Sequence, residues 1–181
     1  MNFQSQGRLI NDDGMNFICS TLGIYEPEAW AVLKVETQGF GFLKDRRPRI
    51  LFECHVFHRI TNGKYDTGNA DISNTKTGGY LGDENEYPRL QKAMDLNTSA
   101  ALQSASWGIG QVMGCNYVAA GFASIDDMVT YMVQDESSQI KAVANFIKDS
   151  DLAGALQRQN WVSFSRGYKG GNFKKMIMTP D

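Results

Sequence analysis

The sequence predicts a mainly α fold with a small irregular or β-hairpin lobe, built as one domain over residues 1–181. Three observations carry that expectation. Most of the chain repeats apolar residues at helical spacing behind capping residues. One stretch, 63–86, breaks the pattern with glycines and small polar side chains. No repeat, low-complexity tract or linker divides the rest. The chain is 42% hydrophobic and 21% charged, an ordinary globular balance with enough apolar material for a core.

The elements follow in order. Asn11-Asp12-Asp13 caps a first helix running to about Leu22, with Met15, Ile18, Cys19 and Leu22 on one face. Pro27, behind Glu26, suits the first turn of a second helix that ends at Glu36. Pro48 opens a third segment, 49–60, read as a helix closed by Asn62-Gly63. Residues 63–86, with Gly68, Gly78, Gly79 and Gly82, read as a long loop or a short hairpin, and loops of that length tend to be functional. Helical patterns resume at 87–95 and 98–106, continue over 125–148, and end with 152–159 and 161–167. The basic-apolar stretch 173–178 reads as a last helical turn.

Bulk properties narrow the function. A net charge of -2 gives no electrostatic footprint for nucleic acid. Cys19, Cys54 and Cys115 are odd in number and lack paired spacing, which suggests reduced thiols. The first residues lack the apolar run of a signal peptide, and no stretch is long enough to span a bilayer. The expectation is a monomer made in the cytoplasm, without stable membrane insertion, which another component must release if it works outside.

Three segments point to chemistry. In the second helix Ala29, Val32, Leu33 and Glu36 share one face, so a carboxyl lies in line with an apolar stripe just before the glycine-rich Gly39-Phe40-Gly41. Desolvation there favours the protonated form, the state a glycosidase needs in its general acid. The same pattern also fits a helix-terminal glutamate left in water. The second segment is Ser106-Trp107-Gly108-Ile109-Gly110-Gln111-Val112-Met113, where glycines let backbone approach a ligand and Gln111 offers both donor and acceptor. It fits equally a helix–helix turn with a buried tryptophan. In the third, Trp161 to Asn172, the phenol of Tyr168 can orient a carboxyl, or can be a core tyrosine before a helix cap.

Together these segments resemble the lysozyme-like superfamily of goose-type lysozymes and soluble lytic transglycosylases. Val35-Glu36-Thr37, Gly39, Gly41-Phe42, then Arg47-Pro48-Arg49-Ile50-Leu51-Phe52-Glu53, His55 and Phe57 look like the phage N-acetylmuramidase family of endolysins. The resemblance runs from about residue 11 to 178. It implies a lysozyme-like fold, peptidoglycan glycan strands as partner, and cleavage of the β-1,4 bond between N-acetylmuramic acid and N-acetylglucosamine. Glu36 matches the family's catalytic glutamate. Thr37 stands where the wider superfamily has serine, and Lys169 where it has the asparagine of Tyr-Asn-Gly, while Tyr168 and Gly170 match.

Hydrolysis requires a group opposite the acid. Glu53, on a predicted helical face with Ile50, Phe57 and Ile60, should point inward, either as second catalytic carboxylate or in a buried pair with Arg46, Arg47 or Arg49. Asp45 is the alternative on the loop after Glu36, with a solvated loop charge as its plainer reading; Asp66, Asp71 and Asp83 are further carboxylates in the lobe. For sugar binding, Trp107, Tyr80, Tyr87 and Tyr117 are expected along a groove, with Thr37, Gln38 and Gln111 contacting the substrate, and Trp30 and Trp161 as packing residues. Cys54 and His58 lie one helical turn apart, as do His55 and His58. With two histidines in the chain and no Cys-x-x-Cys, neither a metal nor another cofactor is expected. Three alternatives stay open: a lytic transglycosylase leaving a 1,6-anhydro sugar, a catalytically inactive wall-binding protein, and an injected effector of identical chemistry.

Overall fold

Asn11 opens the first helix as its sequence requires: its side chain accepts a hydrogen bond from the Gly14 amide, and α1 runs Asp12–Leu22 before Gly23 turns left-handed. The computed structural model describes residues 2–36 and 40–174, with backbone alone at 35, 36 and 171–174. Helix α2 (Glu26–Glu36) ends at Glu36. Beyond 37–39, residues 41–49 fold back on themselves, with the Arg49 amide donating to Gly41 O at 2.8 Å and the Leu43 amide to Arg47 O at 2.8 Å.

The third segment is not one helix. Ile50–Phe52 form a strand, β1, Glu53 is extended, and α3 covers only Cys54–Ile60. The run Ile50-Leu51-Phe52 is short and β-branched at its head, and it has a partner: β2 (Ala105–Trp107) pairs antiparallel with it, Leu51 opposite Ser106. β3 (Val112–Met113) completes a three-stranded sheet in the order β1-β2-β3. The hairpin of the small lobe therefore arises at 105–113, and among the described residues no strand forms within 63–86. That stretch is a series of turns held by side chains, with Asp66 accepting from Ser73 Oγ at 2.6 Å and lying 2.8 Å from His58 Nδ1.

Helix α4 (Glu86–Gln103) contains the break expected between 95 and 98. Asn97 leaves the helical region (φ -161°, ψ 100°) and its side chain caps the second half through the Ala100 amide. The expected 125–148 helix is two, α5 (Ile125–Met132) and α6 (Glu136–Asp149), because Asp135 is extended and caps α6 by accepting from Ser138 N at 2.7 Å. Two more helices follow, α7 (Ala153–Gln157) and α8 (Trp161–Lys174). Gly170 and Gly171 lie inside α8, so they are not the helix end the sequence suggests, and residues 175–178 lie outside those described.

Helix α6 is the centre. Its residues Glu136 to Ile140 and Ala142, Val143, Ala144, Phe146 and Ile147 are all buried, and α1 packs along it. At its N-terminal end the fully buried Gln139 joins three segments. Its amide nitrogen donates to Met132 O at 3.0 Å and Gly41 O at 3.4 Å, while its oxygen accepts from Ile109 N at 2.7 Å. Gly41 and Gly108 both press against this side chain, where any Cβ would collide with it.

Replacing Gln139 by alanine strips a partner from each of those backbone groups and opens a void. The expected loss is about 3 kcal/mol, read as a lowered urea midpoint with the m-value unchanged.

Candidate active site

Glu36 is the last residue of α2, and its side chain lies outside those described; Thr37 and Gln38 lie outside the described residues altogether. What the structure defines is the segment that follows. The Gly41 amide donates to the buried Glu136 carboxylate at 2.7 Å, and the Gly41 carbonyl receives the Arg49 amide and Gln139. The chain leaving the end of α2 is thus pinned within five residues of Glu36, and its return leg passes directly into β1, whose far end delivers Glu53.

Glu53 is 3% exposed. The helical-face argument for its burial fails, since β1 and an extended residue replace the helix, yet the carboxyl does point inward. The expected pairing with Arg46, Arg47 or Arg49 does not form. Arg47 bonds Asp45, with Nε 2.7 Å from its carboxylate, and Arg49 reaches Asp83 at 2.8 Å. Instead the Tyr80 hydroxyl donates to Glu53, 2.9 Å from each carboxylate oxygen, and His55 Nδ1 lies 3.2 Å away. Burial raises the Glu53 pKa above the ordinary glutamate value; the Tyr80 bond and the charge of Arg89 pull it partly back, and Glu86 opposes them. His55 is pushed the other way, toward neutrality, by its own burial and by Arg59.

Arg89 is committed elsewhere. One nitrogen bonds the fully buried Glu86 carboxylate at 2.8 Å and Phe52 O at 3.2 Å, another Asp71 O at 2.9 Å. Glu86 also accepts from the amides of Phe52, Leu81 and Gly82. These two residues, missed by sequence reading, tie β1 to the 71–82 loop. Their signal was an i,i+3 Glu–Arg pair aligned with Leu90 and Ala93 at the start of an amphipathic helix.

Asp45 is the weaker candidate. Burial alone would raise its pKa, but the side-chain and backbone bonds from Arg47 outweigh it and hold the carboxyl below the usual value. An anion clamped this way is a poor base.

Three expected site residues bond within the scaffold. Trp107 is fully buried, and its indole N–H donates to Leu102 O at 3.0 Å. Tyr168 is 2% exposed and its hydroxyl donates to Gly110 O at 2.7 Å, which tethers the β2–β3 turn. The Gln111 amide accepts from Ser106 Oγ and donates to the carbonyls of Gly108 and Arg49, so its polar atoms are spent on the sheet. Tyr87 is likewise buried against Pro48 O. Tyr117 packs partly buried against the core. Of the four aromatic candidates, Tyr80 has an open face. Trp30 and Trp161, expected to pack, are exposed at 52% and 38%.

Among the described residues no three His, Cys, Asp or Glu side chains converge as a metal site, and no helix is long and apolar enough to cross a membrane. Burial raises the Cys115 thiol pKa to about 11.

The Glu53 carboxyl yields a stability signature. Its folded pKa lies above its unfolded one, so the ionised group opposes folding above the unfolded pKa, and that penalty fades as pH falls through the folded pKa. Glu53→Gln is therefore expected to raise the thermal midpoint at neutral pH, with the advantage over the parent shrinking in acid; paired melts from pH 7.5 to 4.5 check both.

Compared with known proteins, residues 26–177 match the family model described as N-acetylmuramidase. Among solved structures, the chain is similar to the endolysin of Burkholderia AP3 phage. The two share 32% identity with a TM-score of 0.84 over 90% of this chain and 63% of that one. The chain thus spans under two thirds of that endolysin's length, and the fold is its lysozyme-like fold. No curated protein matches the sequence.

Proposed function

The chain belongs to the N-acetylmuramidase family, and from that premise we propose that it is a peptidoglycan glycosidase cutting the β-1,4 bond between N-acetylmuramic acid and N-acetylglucosamine. The observation that carries the reading is the pair of carboxyls on one pinned stretch of chain. Glu36 closes α2, Glu53 follows β1, and the segment between them is anchored to Glu136 and Gln139.

In this reading Glu36 is the general acid. It protonates the glycosidic oxygen as the C1–O bond breaks, and positive charge develops on the sugar ring. Glu53, ionised, faces that charge or takes a proton from the attacking water, which adds at C1 to give a reducing end. Its buried setting strengthens the interaction with a developing cation, since little water screens it. Asp45 has no role, its charge being spent on Arg47. The substrate is the glycan strand of a bacterial wall, and the similarity to a phage endolysin supports lysis of a host cell. In this reading the protein acts as a monomer made in the cytoplasm and released to the wall.

Mass spectrometry of fragments from purified sacculi tests the reaction. Fragments ending in reducing N-acetylmuramic acid are expected. Anhydro ends would make the protein a lytic transglycosylase, in which the sugar's own 6-hydroxyl attacks C1 and gives its proton to the glutamate that acted as acid, and would remove the need for a second carboxylate. Sacculi bound but left intact would make it a binding protein. Glu36→Gln is expected to lower turnover by at least a hundredfold with an unchanged melting curve. Retained turnover would sink the assignment of the acid.

A further inference from the structure

Two pins hold the loop that carries Tyr80. On its N-terminal side the Cys54 thiol donates to Lys76 O at 3.3 Å and to Gly78 O at 3.7 Å. On its C-terminal side Glu86 accepts from the amides of Leu81 and Gly82 at 2.6 and 2.9 Å. Only Gly79 and Tyr80 lie between the anchored residues. Tyr80 is 43% exposed, while its hydroxyl reaches the carboxyl of Glu53, which is 3% exposed. One side chain therefore presents an open face to solvent and spends its single polar atom on a buried acid.

The surroundings of Glu53 make that bond consequential. The groups facing it are Tyr80 from the loop, His55 and Cys54 from α3, and Glu86 and Arg89 from α4. Arg89 is bonded to Glu86 and to two carbonyls, and among the described residues no lysine or arginine nitrogen pairs with Glu53. A neutral hydroxyl placed evenly between the two oxygens fixes the orientation of the carboxylate without neutralising it. A salt bridge to arginine would have quenched its basicity, as at Asp45.

We propose that Tyr80 is the positioning residue of the catalytic carboxylate: its hydroxyl orients Glu53 while its exposed ring face seats the pyranose next to the bond that is cut. This rests on the role given to Glu53 above. Sugar rings stack on aromatic faces through their C–H surfaces, and a ring fixed at its hydroxyl end loses little freedom when a sugar settles on it. Coupling both tasks in one residue sets the distance from seated sugar to carboxylate.

Two substitutions separate the tasks on purified sacculi. Tyr80→Phe keeps the ring and removes the hydroxyl. The expected result is a kcat lower by about tenfold, an unchanged KM, and an acid limb of the pH profile moved to higher pH, because the ionised form of Glu53 has lost a donor. Tyr80→Leu removes the ring as well, and KM is expected to rise about tenfold on top of the kcat loss. A Tyr80→Phe enzyme with parental kcat and parental acid limb overturns the positioning role. A Tyr80→Leu enzyme with parental KM overturns the seat. Glu53→Gln separates this proposal from its premise. If that variant retains full turnover, the role of Glu53 is wrong and the proposal falls with it; if it is inactive while Tyr80→Phe is unaffected, only the role of Tyr80 is wrong.

Discussion

The buried amide of Gln139 is the constraint on which the site depends. A neutral group that both donates and accepts can join a carbonyl and an amide from separate loops at no charge-burial cost, and this one joins Gly41, Ile109 and Met132. Glu136, one turn earlier on α6, takes the Gly41 amide, and Tyr168 on α8 takes the Gly110 carbonyl. Gly41 and the turn of the β2–β3 hairpin are therefore registered against the same helix, α6, with α8 tethering the turn as well. Movement of either loop would unpair backbone groups in a dry interior, where each costs about 1–3 kcal/mol. That penalty keeps Gly41 and the start of β1 in a fixed relation.

Within that frame, charge is distributed unevenly and with a consequence. Two acids, Glu53 and Glu86, lie close enough for Glu86 to raise the pKa of Glu53, and both are almost fully buried. Of the two acids Arg89 bonds Glu86, its other bonds going to backbone carbonyls, and beside Glu53 stand a phenol and a histidine that burial pushes toward neutrality. For stability, a direct arginine bond to Glu53 would serve better. For chemistry, an unquenched buried carboxyl is the useful object, and such a group is tolerated only because the Glu86–Arg89 pair holds the surrounding backbone in place.

Local signals were legible in the sequence and tertiary ones were not. The cap at Asn11, the end of α2 at Glu36 and the break at Asn97 depend on neighbours within four residues, and each lies where the pattern puts it. The stretch 49–60 failed because an apolar run of that length fits strand or helix, and the partner strand that decides, β2, lies some fifty residues away. The long pattern at 125–148 hid Asp135, whose capping role requires an extended backbone that apolar periodicity does not register. Glu53 was read as buried for a reason that does not hold, and its partner Tyr80 sits on an irregular loop with no period to reveal it. Glu36 could be singled out from sequence because the carboxyl and the helix end are one local feature; the hydroxyl that attends Glu53 is twenty-seven residues away from it.

The glycine-glutamine and tyrosine-glycine signatures consequently mean something different from what their chemistry first suggests. Trp107, Gln111 and Tyr168 look like ligand contacts because they carry polar atoms beside glycines. Among the described residues, each also bonds backbone carbonyls or a strand hydroxyl of the protein itself. The glycines are there for the same reason: Gly108 accommodates Gln139, and Gly110 lies against Val143 and the Tyr168 hydroxyl. The motif thus encodes the shape of a hairpin turn. This also explains why lysine is tolerated at 169 after the tyrosine, since Lys169 is exposed on α8 while its neighbour is buried and does the tethering. Outside the signature, on a pinned loop, the half-exposed Tyr80 offers a face to a ligand while its hydroxyl bonds the carboxyl of Glu53.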